Sequence, residues 1–290
     1  MNEKAKSLPA VDEPAPELAT IEQRQQQRKE EAVEQRKAIS AQIVYGAILA
    51  EGEAELERPT SALAFSGLAA GLSMGFSFLT EGFLAARLPE SHWAPLVSKF
   101  GYAMGFLIVI LGRQQLFTEN TLTPILPLLK HKRLRTLWNT LRLWGTVLLA
   151  NWVGTIALGW VLAHTGIIEE AARPTFLRIG LEAMGHDFAT TLIKAIFAGW
   201  LIALLVWVLP FAETGRVAVI ILMTYVISLG AFSHVIAGSV DTFYLVALGE
   251  KTWGQYLGNF MLPTLLGNII GGVSLVAALN HAQVVAGTTD

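Results

Sequence analysis

From Ser61 onward the chain is a series of apolar runs long enough to cross a bilayer, and two of the runs are interrupted by polar residues. The plain runs are Ser61 to Thr80, Trp144 to Ala163, about Phe188 to Leu209, and Tyr256 to Leu279. Roughly 20 apolar residues span the hydrocarbon as a helix. Of 290 residues, 53% are hydrophobic and 15% charged, a balance too apolar for an ordinary soluble domain. A spanning segment must satisfy its own backbone groups, so the expectation is an all-α integral membrane protein. The second run begins near Leu96 and meets "RQQLFTENTLTP", Arg113 to Pro124. The fifth, Val217 to about Leu248, is interrupted near Ser233–Asp241, where His234, Gly238 and Asp241 fall. Irregular polar backbone at membrane depth is tolerated only where protein buries it or where it lines a water-filled path. Broken helices that meet near the midplane build such a path.

The rest of the chain divides around this core. Residues 1–20 hold three prolines and mixed charge and are expected to be a disordered tail. Residues 21–58 are charged and helix-favouring, with Val33, Ile39, Ile43, Val44, Ala47 and Ile48 at helical spacing, which predicts a cytoplasmic amphipathic arm. The channel domain is expected over 59–281, with a short cytoplasmic tail at 282–290. "KHKRLRTLWNTLR", Lys130 to Arg142, carries five Lys/Arg and should be cytoplasmic, which puts both termini on that side. A net charge of −2 argues against nucleic acid as a partner. Cysteine is absent and the six histidines are scattered, so no metal or cofactor site is expected.

The two halves share one plan: plain span, broken span, plain span. Three spans per half give the halves opposite orientations, an inverted repeat. Thr118 precedes Asn151 by about 33 residues and His234 precedes Asn268 by about 34, so Thr118 and His234 are expected at matching places.

"LFTENT", "ANWVGT", "FSHVIAGS" and "LPTLLGNIIGG" together resemble the formate/nitrite transporter family, over about Ser61 to Leu279. "RQQLFTEN", "AGWLIALLVWV" and "HVIAGSVD" look most like its YfdC-type branch. The resemblance implies an aquaporin-like fold of six spans, a homopentamer with one pore per protomer in a bacterial inner membrane, and passage of small monovalent anions such as formate or nitrite. It implies that His234 is the central histidine and Thr118 the mobile-loop threonine, in a loop with Arg113, Leu116, Phe117, Glu119 and Asn120. Constrictions are implied at Tyr102 and Phe106, with a facing one near Ile227, and Asn151 and Asn268 match the asparagines of the third and sixth spans. The chain departs from the family where Ser233 stands for a glutamate, Gly238 and Gly199 for asparagines, and Lys194 for a lysine nearer the outer end of the fourth span.

Chemically, a neutral imidazole donates, accepts, or takes a proton near neutral pH. The reading is that Thr118 and His234 bind a weak-acid anion between apolar gates, Tyr102 and Phe106 on one side and Ile227 on the other, with possible proton co-movement. The bland alternative is a histidine bonding an opened helix end. Arg113 and Glu119 read as an internal ion pair, or hydrogen bonds, fixing the loop, or as a charged vestibule. Lys194 reads as a pore-mouth attractor, or as a lysine that snorkels or pairs with an acidic residue such as Asp187 or Asp241. Asn151 and Asn268 read as supports of the broken segments. No paired carboxylates or ligand cluster indicates an enzyme. A neutral-solute pore and a non-conducting scaffold or sensor remain as alternatives.

Overall fold

The computed structural model describes residue 26 and residues 41–286, and every regular element among them is helical. The expected disordered tail, most of the arm before Ala41, and the last four residues lie outside the described residues.

The first helix, α1, is Ala41–Glu57. It buries Ile48, Leu49, Gly52 and Leu56, while Ile43 is exposed, so the inward stripe lies later than the predicted one. Three long helices follow with a short one between them: α2 (Thr60–Arg87), α3 (Ala94–Leu111), α4 (Ile125–His131) and α5 (Leu134–His164). After these come α6 (Arg173–Ala183), α7 (Phe188–Phe211), α8 (Arg216–Leu229), α9 (Ala237–Ala247) and α10 (Trp253–Val284). Helical structure continues to Ala286, so the predicted tail from 282 is in large part helix.

Among the described residues, five helices are long and apolar enough to cross a membrane: α2, α3, α5, α7 and α10. α8 has 14 residues and α9 has 11, too few for either to cross alone. The second break falls between them, at residues 230–236. It was expected to extend to Asp241, but Gly238 and Asp241 lie inside α9. Gly238 is a packing glycine, since a Cβ there would stand 2.6 Å from the Phe260 ring.

Both breaks begin alike. Gly112 and Gly230 end their helices, and the next residues, Arg113 (φ 51°) and Ala231 (φ 47°), are left-handed. Gln114 N–H donates to the Val109 carbonyl and Phe232 N–H to that of Ile227, each at 2.9 Å. Arg113 N–H reaches Ile110 O at 3.2 Å and Ala231 N–H reaches Ser228 O at 3.0 Å. These are Schellman ends with a non-glycine residue in the left-handed place, at a cost of about 1–2 kcal/mol each.

Close helix pairs carry the breaks. α2 packs along α5, and a Cβ on Gly71 would overlap the Asn151 carbonyl. α7 packs along α10, and a Cβ on Gly199 would overlap the Asn268 carbonyl. Small residues let the backbones approach and bring each asparagine to its break. The Gly199 contact also explains why an asparagine cannot occupy that position here.

Candidate anion pathway

The loop of residues 112–124 hangs on one side chain. Asn151 Oδ1 accepts from Phe117 N–H at 2.9 Å, and its Nδ2 donates to the carbonyls of Gly67 (2.7 Å) and Gln115 (2.8 Å). Asn268 does the same for the second break. It accepts from Val235 N–H at 2.9 Å and donates to Ala195 O (2.8 Å) and Ser233 O (2.9 Å). Both amides are wholly buried. The bonds pair 115 with 233 and 117 with 235, so the counterpart of Thr118 is Ile236 and that of His234 is Leu116. The predicted match of Thr118 to His234 was two residues out, because spacing to the asparagine alone does not fix the register of an irregular loop.

Thr118 and His234 nevertheless meet. Thr118 Oγ1 lies 2.8 Å from His234 Nε2, with Thr118 0% and His234 1% exposed. Ala237 N–H donates to His234 Nδ1 at 3.1 Å, in the first turn of α9. A nitrogen that accepts carries no proton, so the neutral ring holds its hydrogen on Nε2 and donates it to Thr118. The Thr118 hydroxyl hydrogen is then left to donate elsewhere. A second proton on the ring would set Nδ1–H against Ala237 N–H. The histidine therefore serves the opened helix end through one nitrogen and the threonine through the other.

Phe106 packs edge-on against His234, centroids 5.1 Å apart, and Tyr102 lies 5.2 Å from Phe106. Tyr102 and Ile227 line one cavity, about 80 Å³, together with His234. They were expected on opposite sides of the Thr118–His234 pair. Ile227, two residues before the end of α8, borders the same space as Tyr102. Glu81, Lys99, Ser228 and Asp241 line that cavity too. Lys99 Nζ lies 3.4 Å from Glu81 Oε1, and Ser228 Oγ donates to Glu81 Oε2 at 3.3 Å. A larger space adjoins it between α2, α3 and α6, about 390 Å³, again lined by Glu81 and Lys99.

A second cavity of about 310 Å³ holds Arg113, Gln114, Glu119 and Asn120, with Glu51 and Glu55 of α1 and Arg216 of α8. Arg113 and Glu119 form no ion pair, and Glu119 Oε1 is buried without a hydrogen-bond partner. Both side chains line this cavity. The loop is fixed instead by Gln115 Nε2 donating to Glu55 (2.8 Å), Asn120 Nδ2 to Gln115 (3.0 Å), and Trp144 Nε1 to Asn120 O (2.8 Å). Burial raises the Glu55 carboxyl above its usual value, and Arg58 beside it opposes that rise. Leu116 and Phe117 are buried in the core, outside this cavity, with Phe117 edge-on to Trp144. Lys194 lines neither cavity and pairs with neither Asp187 nor Asp241; its Nζ donates to the Ala231 carbonyl at 3.4 Å.

Sequence reasoning missed Glu81, Lys99 and Ser228. Glu81 had a signal, being an acid one residue past the first apolar run, where ionisable groups tend to be functional. Lys99 had none, because it reads as an interfacial lysine at a span end. A 3₁₀ turn at Lys99–Tyr102 places it in the cavity.

The assembly of paired helices around two breaks defines a helical membrane-channel class of fold. The sequence profile of the formate/nitrite transporter family matches residues 42–282, and the chain belongs to that family. It is 41% identical to "Inner membrane protein YfdC" of Escherichia coli (strain K12), over 91% of this chain and 85% of that one. It is 27% identical to "Formate channel BtFdhC" of Bacillus thuringiensis, over 79% of this chain and 89% of that one. In structure it resembles an "FNT family ion channel", with TM-score 0.72 and 17% identity over 83% of this chain and 99% of that one. It also resembles a "Pentameric formate channel with formate bound", with TM-score 0.64 and 19% identity over 78% of this chain and 98% of that one.

Proposed function

We propose that this chain is a channel for small monovalent weak-acid anions, formate or nitrite among them, with one pathway in each protomer of an inner-membrane homopentamer. The observation that carries the proposal is the buried Thr118–His234 pair, with His234 lining one cavity and Glu119, next to Thr118, lining the other. A bare anion loses several kcal/mol of hydration in so apolar a passage. The Thr118 hydroxyl offers it a donor there, and Phe106 with the His234 ring excludes bulk water. The passage runs from the Glu119 cavity, past the pair, to the Lys99 cavity, and a proton accompanies the anion.

The reading includes six crossings in two inverted halves, α8 and α9 together making the fifth. The matching bonds of Asn151 and Asn268 support it. Glu53 of α1 binds His131 (2.8 Å) and Lys130 (3.7 Å) next to the basic loop, while α1 also lines the Glu119 cavity. The positive-inside rule then puts that cavity and both termini in the cytoplasm. Exposed Phe65, Leu149 and Val153 face lipid or a neighbouring protomer. One observation favours a competing pore for neutral solutes: both cavities carry more carboxyls than cations.

The test is uptake of formate, nitrite, nitrate, acetate and hydrosulfide into proteoliposomes across a pH gradient, with His234→Phe and Thr118→Val variants. Flux of one or more of these anions, lost in both variants, is the expected result. Glycerol or water flux without anion flux would establish the neutral pore instead.

A further inference from the structure

The passage needs a proton for a weak acid, and the geometry leaves His234 unable to give one. Its Nδ1 accepts from Ala237 N–H and its Nε2 faces Thr118. Charging the ring would break the first hydrogen bond of α9. The proton must come from another group on the path.

The Lys99 cavity contains such groups. Glu81 has Lys99 on one carboxylate oxygen and the Ser228 hydroxyl on the other, so it is placed as the counter-ion of Lys99. Asp241 differs. It lines the same cavity, seven residues after His234, and forms no ion pair or hydrogen bond with another side chain among the described residues. The groups that face it are Glu81 from α2, Lys99 and Tyr102 from α3, Glu182 from α6 with His186 beyond it, and His234 at the start of its own helix. Three carboxyls stand there against one lysine. An anion entering the cavity is repelled if all are ionised, but a protonated Asp241 offers it both a hydrogen bond and a proton.

We propose that Asp241 is the proton donor of the pathway, with Glu81 the positioning residue that holds Lys99 beside it. The proposal rests on the anion-channel reading. The anion takes the hydrogen of the Asp241 carboxyl; its own O–H or S–H bond forms as the Asp241 O–H bond breaks. The neutral acid moves on past Thr118 and releases its proton to water in the Glu119 cavity. The carboxylate left on Asp241 faces Lys99 and takes a proton from water on its own side. One anion and one proton cross per cycle. The substrate class is thereby anions of weak acids; the anion of a strong acid cannot accept the proton at neutral pH.

The experiment compares wild type, Asp241→Asn and Asp241→Glu in proteoliposomes of phosphatidylethanolamine and phosphatidylglycerol, with formate and nitrate as probes and an internal pH dye. Wild type is expected to take up formate with protons and to exclude nitrate. The asparagine variant should lose formate uptake at outer pH 7 by about tenfold or more, and the glutamate variant should restore it. Infrared difference spectra of the purified proteins, which need no transport, should show a protonated-carboxyl band in wild type that is missing from Asp241→Asn. Formate uptake by Asp241→Asn with wild-type rate and pH profile overturns the donor, as does the absence of that band from wild type. Equal, proton-free flux of nitrate and formate by wild type overturns it while leaving the channel reading intact. No flux of any anion in wild type overturns both.

Discussion

Asn151 and Asn268 each satisfy three backbone groups that the breaks would otherwise bury unpaired. Replacing either with alanine should lower stability by about 2–5 kcal/mol, from unsatisfied groups costing roughly 1–3 kcal/mol each. Thermal unfolding in detergent measures it, and a loss confined to one asparagine would mean that the two breaks are not equivalent supports. Aspartate at either place should fare no better, since it cannot donate to the two carbonyls. Both asparagines were legible in the sequence, because an amide in an apolar run beside glycines has few uses other than to bond backbone. The roles of Tyr102 and Ile227 were legible only as apolar lining. That they border one shared space depends on how α3 and α8 pack together, and no pattern of residue types encodes that.

At the scale of elements, the breaks were legible where polar residues interrupt an apolar run, and their edges were not. The sequence put Gly238 in a break because glycine commonly ends helices, yet here it accommodates Phe260. Asparagine at Gly238 should therefore destabilise the protein by about 1–3 kcal/mol through overpacking. A second change, Phe260→Ala, should recover part of that loss, read as the shift in melting temperature of the double variant against the singles. The start of α7 gives a prediction for pH. Asp187 accepts from Thr190 N–H at 2.8 Å, and that bond holds its carboxyl below the usual range. The cap's contribution is therefore complete above the unfolded carboxyl value of about 3.9 and is lost as pH falls through the lower folded value. Asp187→Asn should flatten this acid dependence of melting temperature without changing its value much at neutral pH, as asparagine caps equally well.

For the whole molecule, the proposed pathway has a carboxyl-rich cavity at each end. The Glu119 cavity sets three carboxyls against two arginines, and Glu119 lies next to the threonine of the pathway. Arg113→Ala should lower anion uptake roughly two- to tenfold at low ionic strength. Uptake measured at two salt concentrations decides it. The oligomer makes its own prediction: chemical cross-linking in native membranes should give a ladder that stops at five. The spans could be read from hydrophobicity alone, whereas the two cavities are assembled from residues far apart in the chain, such as Glu55 with Gln115 and Glu81 with Lys99.

The amide pins of Asn151 and Asn268 have one more consequence. A carboxamide does not titrate over any pH a cell meets, and it carries no charge for the membrane voltage to act on. The frame that holds Thr118 and His234 therefore stays the same while, in the proposed pathway, permeant and cavity carboxyls exchange protons. In the proposed pathway, any sensitivity of conduction to acid or to voltage belongs to what passes through and to the walls of its two mouths. The two centres of the passage act as fixed bearings.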